Sequence, residues 1–344
     1  MKIVLLDNLD FEWDRFVGSH CGKKVFTQSS DWLKVISESY GHKAIYAVVY
    51  KDYKIIAALP LFLIEKGIFG NFLTSLPGGI LTKSEEAIKL IIDHLMKIVL
   101  QKKLSYLNIK DSLIRLQDER LKENARYFHM IINTNQSNDL WSRLKPQARN
   151  KVRRSFNHDF RVQGGHGNLE EVYNVIKTNY KRLGTPMPSL RFFKNIMLTL
   201  GDRAKLLALF NEGRVVGGSL SILFGSTQNV SWYSCLPETF HLQSNYRLYW
   251  ETINRSAEYQ VSSINLGTSK LNSGNYQFKS KWHSQPMPLF SYYFVNKGFL
   301  TPDYFTESQE NGMLKSLKQV YRISPSFVSS KLSGYFSSFE PIAF

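Results

Sequence analysis

Two stretches of this 344-residue chain, 32–109 and 192–266, run through the same order of elements, and this repetition narrows the fold more than any single motif. Each reads helix, hairpin with a tight turn, a further strand, a second helix and a closing strand. In the first, Ser29 or Ser30 caps a helix through Ser39 that puts Trp32, Val35 and Ile36 on one face. Ala44–Tyr50 and Ile55–Ile64 flank the turn Lys51–Lys54, and Phe69–Leu76 leads into Pro77-Gly78-Gly79. A helix over Ser84–Lys102 carries Ala87, Leu90, Ile91, His94, Leu95, Ile98 and Val99 on its apolar face, and Tyr106–Ile109 closes the unit. In the second, Ser189 caps Leu190–Leu200, and Lys205–Phe210 and Val215–Phe224 flank Asn211–Arg214. Asn229–Cys235, the helix Tyr246–Tyr259 and the strand Ser262–Leu266 complete it. The pattern predicts two copies of one α/β unit, each a mixed sheet flanked by helices, rather than a single large sheet.

The expected division is 1–138 for the first domain, 139–300 for the second and 301–344 for a helical tail. Phe128–Ile132 and Pro288–Val295 read as further strands. Asp139 caps a basic helix over Leu140–Phe156 that opens the second domain. The tail offers Met313–Arg322 as a basic helix and Pro325–Phe336 as a second segment, which either docks on the second domain or lies at a membrane surface.

Charge decides the class of partner. Forty-four Lys and Arg against 28 Asp and Glu leave a net charge of +16, and 43% hydrophobic residues support a packed core. Such a balance favours polyanions: nucleic acid, nucleotide-linked sugars, anionic glycans or the face of an anionic membrane. No helix-turn-helix or RNA-recognition signature accompanies the charge, so DNA is not an expected partner. The N-terminal apolar run Ile3–Leu6 is short and is followed by Asp7 and Asp10, unlike a secretory signal. The longest apolar run, Ile55–Ile64, is half of the ~20 residues that cross a bilayer and contains Pro60. A cytoplasmic protein, peripheral at most to the inner membrane, is expected. Cys21 and Cys235 do not make a disulfide framework.

Three constellations carry chemistry. The first is the run Arg143 to Arg161, where Arg149 and Arg153 stand four residues apart and share a helix face suited to phosphate or carboxylate. A solvated basic face is the plainer alternative. The second is the turn from Tyr233 to Ser244-Asn245-Tyr246-Arg247, where Ser244 or Asn245 would cap a helix whose N-terminus attracts anions. The third is Asn265–Trp282, NLGTSKLNSGNYQFKSKW. Read as a strand, its end puts Lys279 and Lys281 on one side and Phe278 and Trp282 on the other. Gly267 and Gly274 permit close approach of a ligand. Walker A, G-x-G-x-x-G, G-x-S-x-G and H-E-x-x-H motifs are absent, and no metal site or permanently bound cofactor is expected.

The order and spacing of several short segments resemble the FemAB-like branch of the GNAT acyltransferase superfamily, nearest its exosortase-associated and BioF2-like members. They are Tyr40-Gly41-His42, Ala57–Phe62, Ser75-Leu76-Pro77, Lys145-Pro146 with Arg149-Asn150, Leu183–Pro186, Leu248-Tyr249-Trp250, Leu266-Gly267 and Phe278-Lys279 with Trp282. The resemblance implies two tandem GNAT-like domains and transfer of an acyl or aminoacyl group to an amine, in peptidoglycan or exopolysaccharide synthesis, from acyl-CoA or aminoacyl-tRNA. It puts Lys279 at the reacting centre, on phosphate or on the tetrahedral oxyanion, with Tyr233 and Tyr249 as hydrogen-bond or proton partners. Arg149, Arg153, Ser244, Asn245 and Arg247 would then bind phosphate or substrate anion, and Trp282 would wall the cleft. One departure stands out: the family's acid at the strand end is Asn265 here, and its arginine is Thr268. A non-catalytic protein that holds tRNA or anionic glycan is the competing reading.

Overall fold

The computed structural model describes residues 1–8, 13–20, 26–67, 70–111, 114–134, 139–299, 319 and 321–324. Cys21, Phe69 and most of the tail expected after 300 lie outside the described residues. The described residues divide into two compact units, one of Met1–Arg126 with 288–299 and Gln319, the other of Tyr127–Met287 with 321–324.

The first unit contains β1 Lys2–Leu6, α1 Trp13–His20, α2 Ser30–Tyr40, β2 Lys43–Lys51, β3 Lys54–Gly67, β4 Gly70–Ser75, α3 Glu85–Gln101 and β5 Tyr106–Asp111. Ser29 caps α2 by accepting from the Trp32 N–H, and Gly41 in the left-handed region ends it. The β2–β3 hairpin closes on Asp52 and Tyr53, both with positive φ, as a two-residue turn of this twist requires. β1, β2, β3 and β4 pair antiparallel in that order, and β5 joins β4 in parallel. α3 buries Ala87, Ile91, Ile92, Leu95, Met96 and Val99 against Ala47, Leu59, Leu61, Leu107 and Ile109. At about 1.5–3 kcal/mol per fully buried large side chain, this interface is a main source of the unit's stability.

The second unit contains β6 Lys122–Asn133 from Tyr127 onward, α4 Leu140–Arg143, α5 Pro146–Ser155, β7 Phe160–Gly164, α6 Leu169–Leu183, α7 Leu190–Leu200, β8 Ala204–Asn211, β9 Arg214–Phe224, β10 Thr227–Cys235, α8 Ser244–Asn254, β11 Ser263–Lys270 and α9 Gly274–Lys279. Its strands run β6-β11-β10-β9-β8-β7. Again the hairpin, β8–β9, closes on two positive-φ residues, Glu212 and Gly213. Again the strand after the central helix, β11, lies parallel to the strand before it, β10. The two-fold repetition of a mixed α/β unit is as expected, but the expectation of two sheets rather than a single large one is not met. The strands of both units belong to one 12-stranded mixed sheet, because strand edges at the ends of the two repeats hydrogen-bond instead of staying free.

Besides the segment Tyr276–Trp282, three elements differ from expectation. The basic helix is two pieces, because Leu144 and Lys145 are extended and Pro146, which lacks an N–H, starts a new helix. α8 spans Ser244–Asn254 rather than Tyr246–Tyr259. The last strand, β12 Gln285–Val295, follows the second unit in sequence yet hydrogen-bonds β5 in the first, with Phe290–Val295 paired to Asp111–Tyr106. Among the described residues no helix is long and apolar enough to cross a membrane.

Candidate active site

β10 and β11 are paired over only three residues each, Thr227–Asn229 with Ser263–Asn265. Beyond them β10 runs on to Cys235 and β11 to Lys270 without continuing the ladder. Both strands are irregular at this point. β10 shifts register against β9 between Val230 and Trp232, and β11 shifts against β6 between Asn265 and Thr268. An extra residue on each side bends and twists the strand locally, so two neighbouring bulges drive the pair apart. Gly267 lies in the second bulge at φ 77°, where a Cβ would stand 3.3 Å from the Val230 carbonyl oxygen and 3.6 Å from Lys279 Nζ. Glycine is needed for both conformation and clearance.

Lys279 is brought to this point by α9. The segment Tyr276–Trp282, expected as a strand, is helical: α9 is capped by Ser273, which accepts from the Tyr276 N–H, and a 3-10 turn continues it through Trp282. The alternation of lysines and aromatics therefore has a different meaning. Phe278 and Trp282 are four apart on one helical face, their rings 6.0 Å from centre to centre. Lys279 turns the other way, and its Nζ donates to the Thr268 carbonyl at 2.9 Å. Burial pushes the Lys279 ammonium down to about 7.

Around Lys279 lies a polar cluster with no formal charge. Asn265 Oδ1 accepts from the Gly267 N–H at 2.9 Å and so holds the bulge. Its Nδ2 then faces Asn229 Oδ1 and His129 Nδ1, each at 3.4 Å. His129 comes from β6, opposite Thr268 in the ladder. Its Nδ1 accepts, so its proton sits on Nε2. Burial, and then the neighbouring Lys279 charge, push His129 down to about 4, which keeps it neutral. Sequence reasoning missed His129. A lone histidine in the strand Phe128–Ile132 has no local signature, and only the β6–β11 pairing brings it across 136 residues to Asn265.

The expected tyrosines stand behind this cluster. Tyr249 packs edge-on against Tyr233 at 4.8 Å and Phe278 at 5.1 Å, and tilted against Trp282 at 4.8 Å. Trp282 is buried within this aromatic group. Tyr233 donates its hydroxyl to the Asn245 carbonyl. The Tyr249 hydroxyl and the Trp282 Nε1 are buried without a hydrogen-bond partner. Burial raises both tyrosine hydroxyls, so neither is a ready acid at neutral pH.

The expected anion-binding groups are dispersed. Gln243, in the left-handed region, precedes α8 in the capping position, not Ser244 or Asn245, and no side chain caps the helix. Ser244 is fully buried and accepts from the Thr239 hydroxyl at 2.8 Å. Arg247 pairs with Glu251 at 2.9 Å and lies 3.8 Å over the Phe156 ring. Arg153 lies 5.5 Å over the Trp141 ring, while Arg149 reaches the Ser142 carbonyl at only 3.5 Å. α5 nonetheless presents Arg153 and Arg154 exposed on its surface.

Residues 142–280 match the family described as acetyltransferase (GNAT) domain. The chain carries a GNAT acetyltransferase domain. Its class of chemistry is acyl transfer, and the match encloses Asn229, Gly267 and Lys279, with His129, Trp141 and Trp282 just outside. Among solved structures, the chain is similar to FemX, with TM-score 0.64 and 13% identity over 88% of this chain and 99% of that one. A tandem GNAT protein from the clavulanic acid biosynthesis pathway gives 0.57 and 10% over 85% and 97%. The C-terminal domain of a putative lysylphosphatidylglycerol synthetase from Agrobacterium fabrum gives 0.57 and 12% over 82% and 93%. At these identities the likeness is one of fold, that of tandem GNAT proteins. A comparison with curated protein sequences gives no match.

Proposed function

We propose that the chain is an N-acyltransferase that moves an acyl or aminoacyl group from acyl-CoA or aminoacyl-tRNA to an amine on an anionic cell-envelope precursor. The observation that carries this reading is Lys279, held against the Thr268 carbonyl where β10 and β11 stop pairing. An acyl group laid between the parted strands meets an ammonium beside its carbonyl oxygen, which is where negative charge develops when an amine attacks. Since a free amine is itself a good nucleophile, positioning and oxyanion stabilisation suffice for the chemistry. The uncapped N-terminus of α8, which follows β10, suits a phosphate of the donor. The exposed arginines of α5 and the charge of +16 suit a polyanionic substrate.

Names among the similar structures support both donor classes. One is a putative lysylphosphatidylglycerol synthetase domain, and another is a tandem GNAT protein determined without AcCoA. The envelope setting, peptidoglycan or exopolysaccharide, rests on the FemAB-like resemblance, as does a cytoplasmic site of action at the inner membrane.

The test incubates the protein with acetyl-CoA, and separately with charged tRNA, in the presence of amine-bearing envelope precursors, and follows acylated product by mass spectrometry. Product from one donor, abolished in Lys279→Ala with circular dichroism unchanged, is the expected result. Wild-type turnover in that variant would remove Lys279 from the chemistry. Salt-sensitive tRNA binding with no product from either donor would favour the non-catalytic reading.

A further inference from the structure

Among the described residues, the elements that surround Lys279 bring only two carboxylates, Glu251 and Glu123, and each is already paired with an arginine. β11 and α9, which pack on each other, contain no acid, and neither does the 3-10 turn through Trp282. α5, which meets that turn, contributes only Arg149, Lys151, Arg153 and Arg154. β11 itself adds Lys270, and α8 adds Tyr246, Tyr249, Arg247 and Glu251, the last already paired with Arg247. β6 brings Tyr127, Arg126 and His129, and its one acid, Glu123, is bound by Arg115 at 2.9 Å. β10 brings Asn229, Tyr233 and Cys235, with the last held in its neutral thiol form by burial. The place nearest the bulge is filled by the Asn265 amide, fixed at both ends by Gly267, Asn229 and His129.

We propose that Asn265, an uncharged side chain locked between Gly267 and His129, is a positioning residue that keeps Lys279 free of any ion pair, so that Lys279 serves as the proton carrier of acyl transfer. This inference rests on the acyltransfer reading above. With Lys279 lowered to about 7 by burial, neutral amine and ammonium are both present at neutral pH, and the neutral amine starts the reaction. As the acceptor amine attacks, a nitrogen–carbon bond forms and the carbonyl electron pair moves to oxygen. Lys279 takes a proton from the attacking nitrogen and becomes the cation beside the oxyanion. When the intermediate collapses, the carbon–leaving-group bond breaks, and the thiolate or alkoxide takes the proton back from Lys279. The products are the amide and the free thiol or alcohol, with Lys279 neutral again. In this chain, where Thr268 stands in place of the family's arginine, a carboxylate at position 265 would be left to pair with Lys279, hold its ammonium form and slow the first step. Depression of Lys279 to about 7 by burial, with nothing opposing it, agrees with this arrangement.

The experiment is competitive labelling of the whole protein with trace acetic anhydride across pH, with the Lys279 peptide quantified by mass spectrometry. The wild type is expected to give a reactivity midpoint near 7. Asn265→Asp keeps an oxygen for the Gly267 N–H and should move that midpoint up by about one unit or more, as an opposite charge within a few ångströms does. Turnover at pH 7 should then fall about fivefold or more and recover at alkaline pH. Asn229→Asp, one hydrogen bond further away, should shift both in the same direction by less, and serves if the first variant does not fold. An unmoved midpoint in the folded variants, or a wild-type midpoint near 10, overturns the inference. A moved midpoint in a protein that transfers no acyl group from either donor overturns the proposed function instead and leaves the tuning of Lys279 standing.

Discussion

The two units solve the same topological problem in opposite ways. Each has a parallel strand pair, β4–β5 or β10–β11, that is hydrogen-bonded over only two or three residues. Each places an asparagine at the last paired position, Asn108 in the first unit and Asn265 in the second. In the first unit the gap is then filled. The Ser75 hydroxyl accepts from the Lys110 N–H at 2.8 Å, and the chain after Pro77 folds back so that Leu81 pairs with Ala58. The fully buried Asp111 accepts from Ile80 and Ile114, and Gln28 donates to the Gly79 carbonyl. In the second unit two bulges, a glycine and a lysine occupy the corresponding place. A repeated fold therefore does not imply a repeated site. One copy closes its strand gap with buried hydrogen bonds, and the other leaves the strands unpaired beside Lys279, whose Nζ donates to the Thr268 carbonyl.

The sharpest way to break this contrast is Lys279→Ala, which should lower kcat about 10²- to 10³-fold, the usual consequence of removing one oxyanion partner. An equal loss from Lys110→Ala in the first unit would show that the two places are not distinct. Next in size is a stability effect that only the open site should show. The folded state holds Lys279 near 7 against an ordinary 10.5, so between those values the unfolded chain binds more protons and stability rises with pH. The penalty is present in full below pH 7. Lys279→Met should therefore gain on the order of a few kcal/mol below pH 7, shrinking towards pH 10, as read from urea midpoints. His129, pushed from 6.5 to about 4, adds a loss of stability as pH falls through that interval.

The closed site should respond to packing instead. A Cβ at Gly79 would fall 1.8 Å from the Asp111 carboxylate, at φ 58°. Gly79→Ala should cost about 1–3 kcal/mol in thermal or urea unfolding while the second unit's chemistry survives in what remains folded. The smallest effect belongs to Arg153→Ala. Its guanidinium stacks on Trp141 in the open, so the variant should raise KM a fewfold, more at low salt than at high, with kcat unchanged. A salt-independent change would argue against an electrostatic role for α5.

Local chemistry made much of this legible. Ser29, Asp139 and Ser189 cap the helices expected of them, and both hairpin turns fall where polar residues interrupt apolar runs. Pro146 could have announced the break in the basic helix, since it removes an N–H. The stretch Phe278–Trp282 was harder. Over five residues an aromatic at either end fits a strand of period two and also a helical i, i+4 pair, and Ser273 in the capping position decides between them.

By itself, then, the sequence determined the repeated helix–hairpin–strand–helix–strand units, because apolar periodicity and caps act between near neighbours, while it was the family resemblance that pointed to Lys279. The tertiary structure decided which unit keeps its strand gap open, that β12 serves the first unit, and that Asn265 and His129 surround Lys279 without charge. Those outcomes depend on strand pairings across more than a hundred residues, and on burial, which sets the proton affinity of Lys279 and has no signature in the order of residues along the chain.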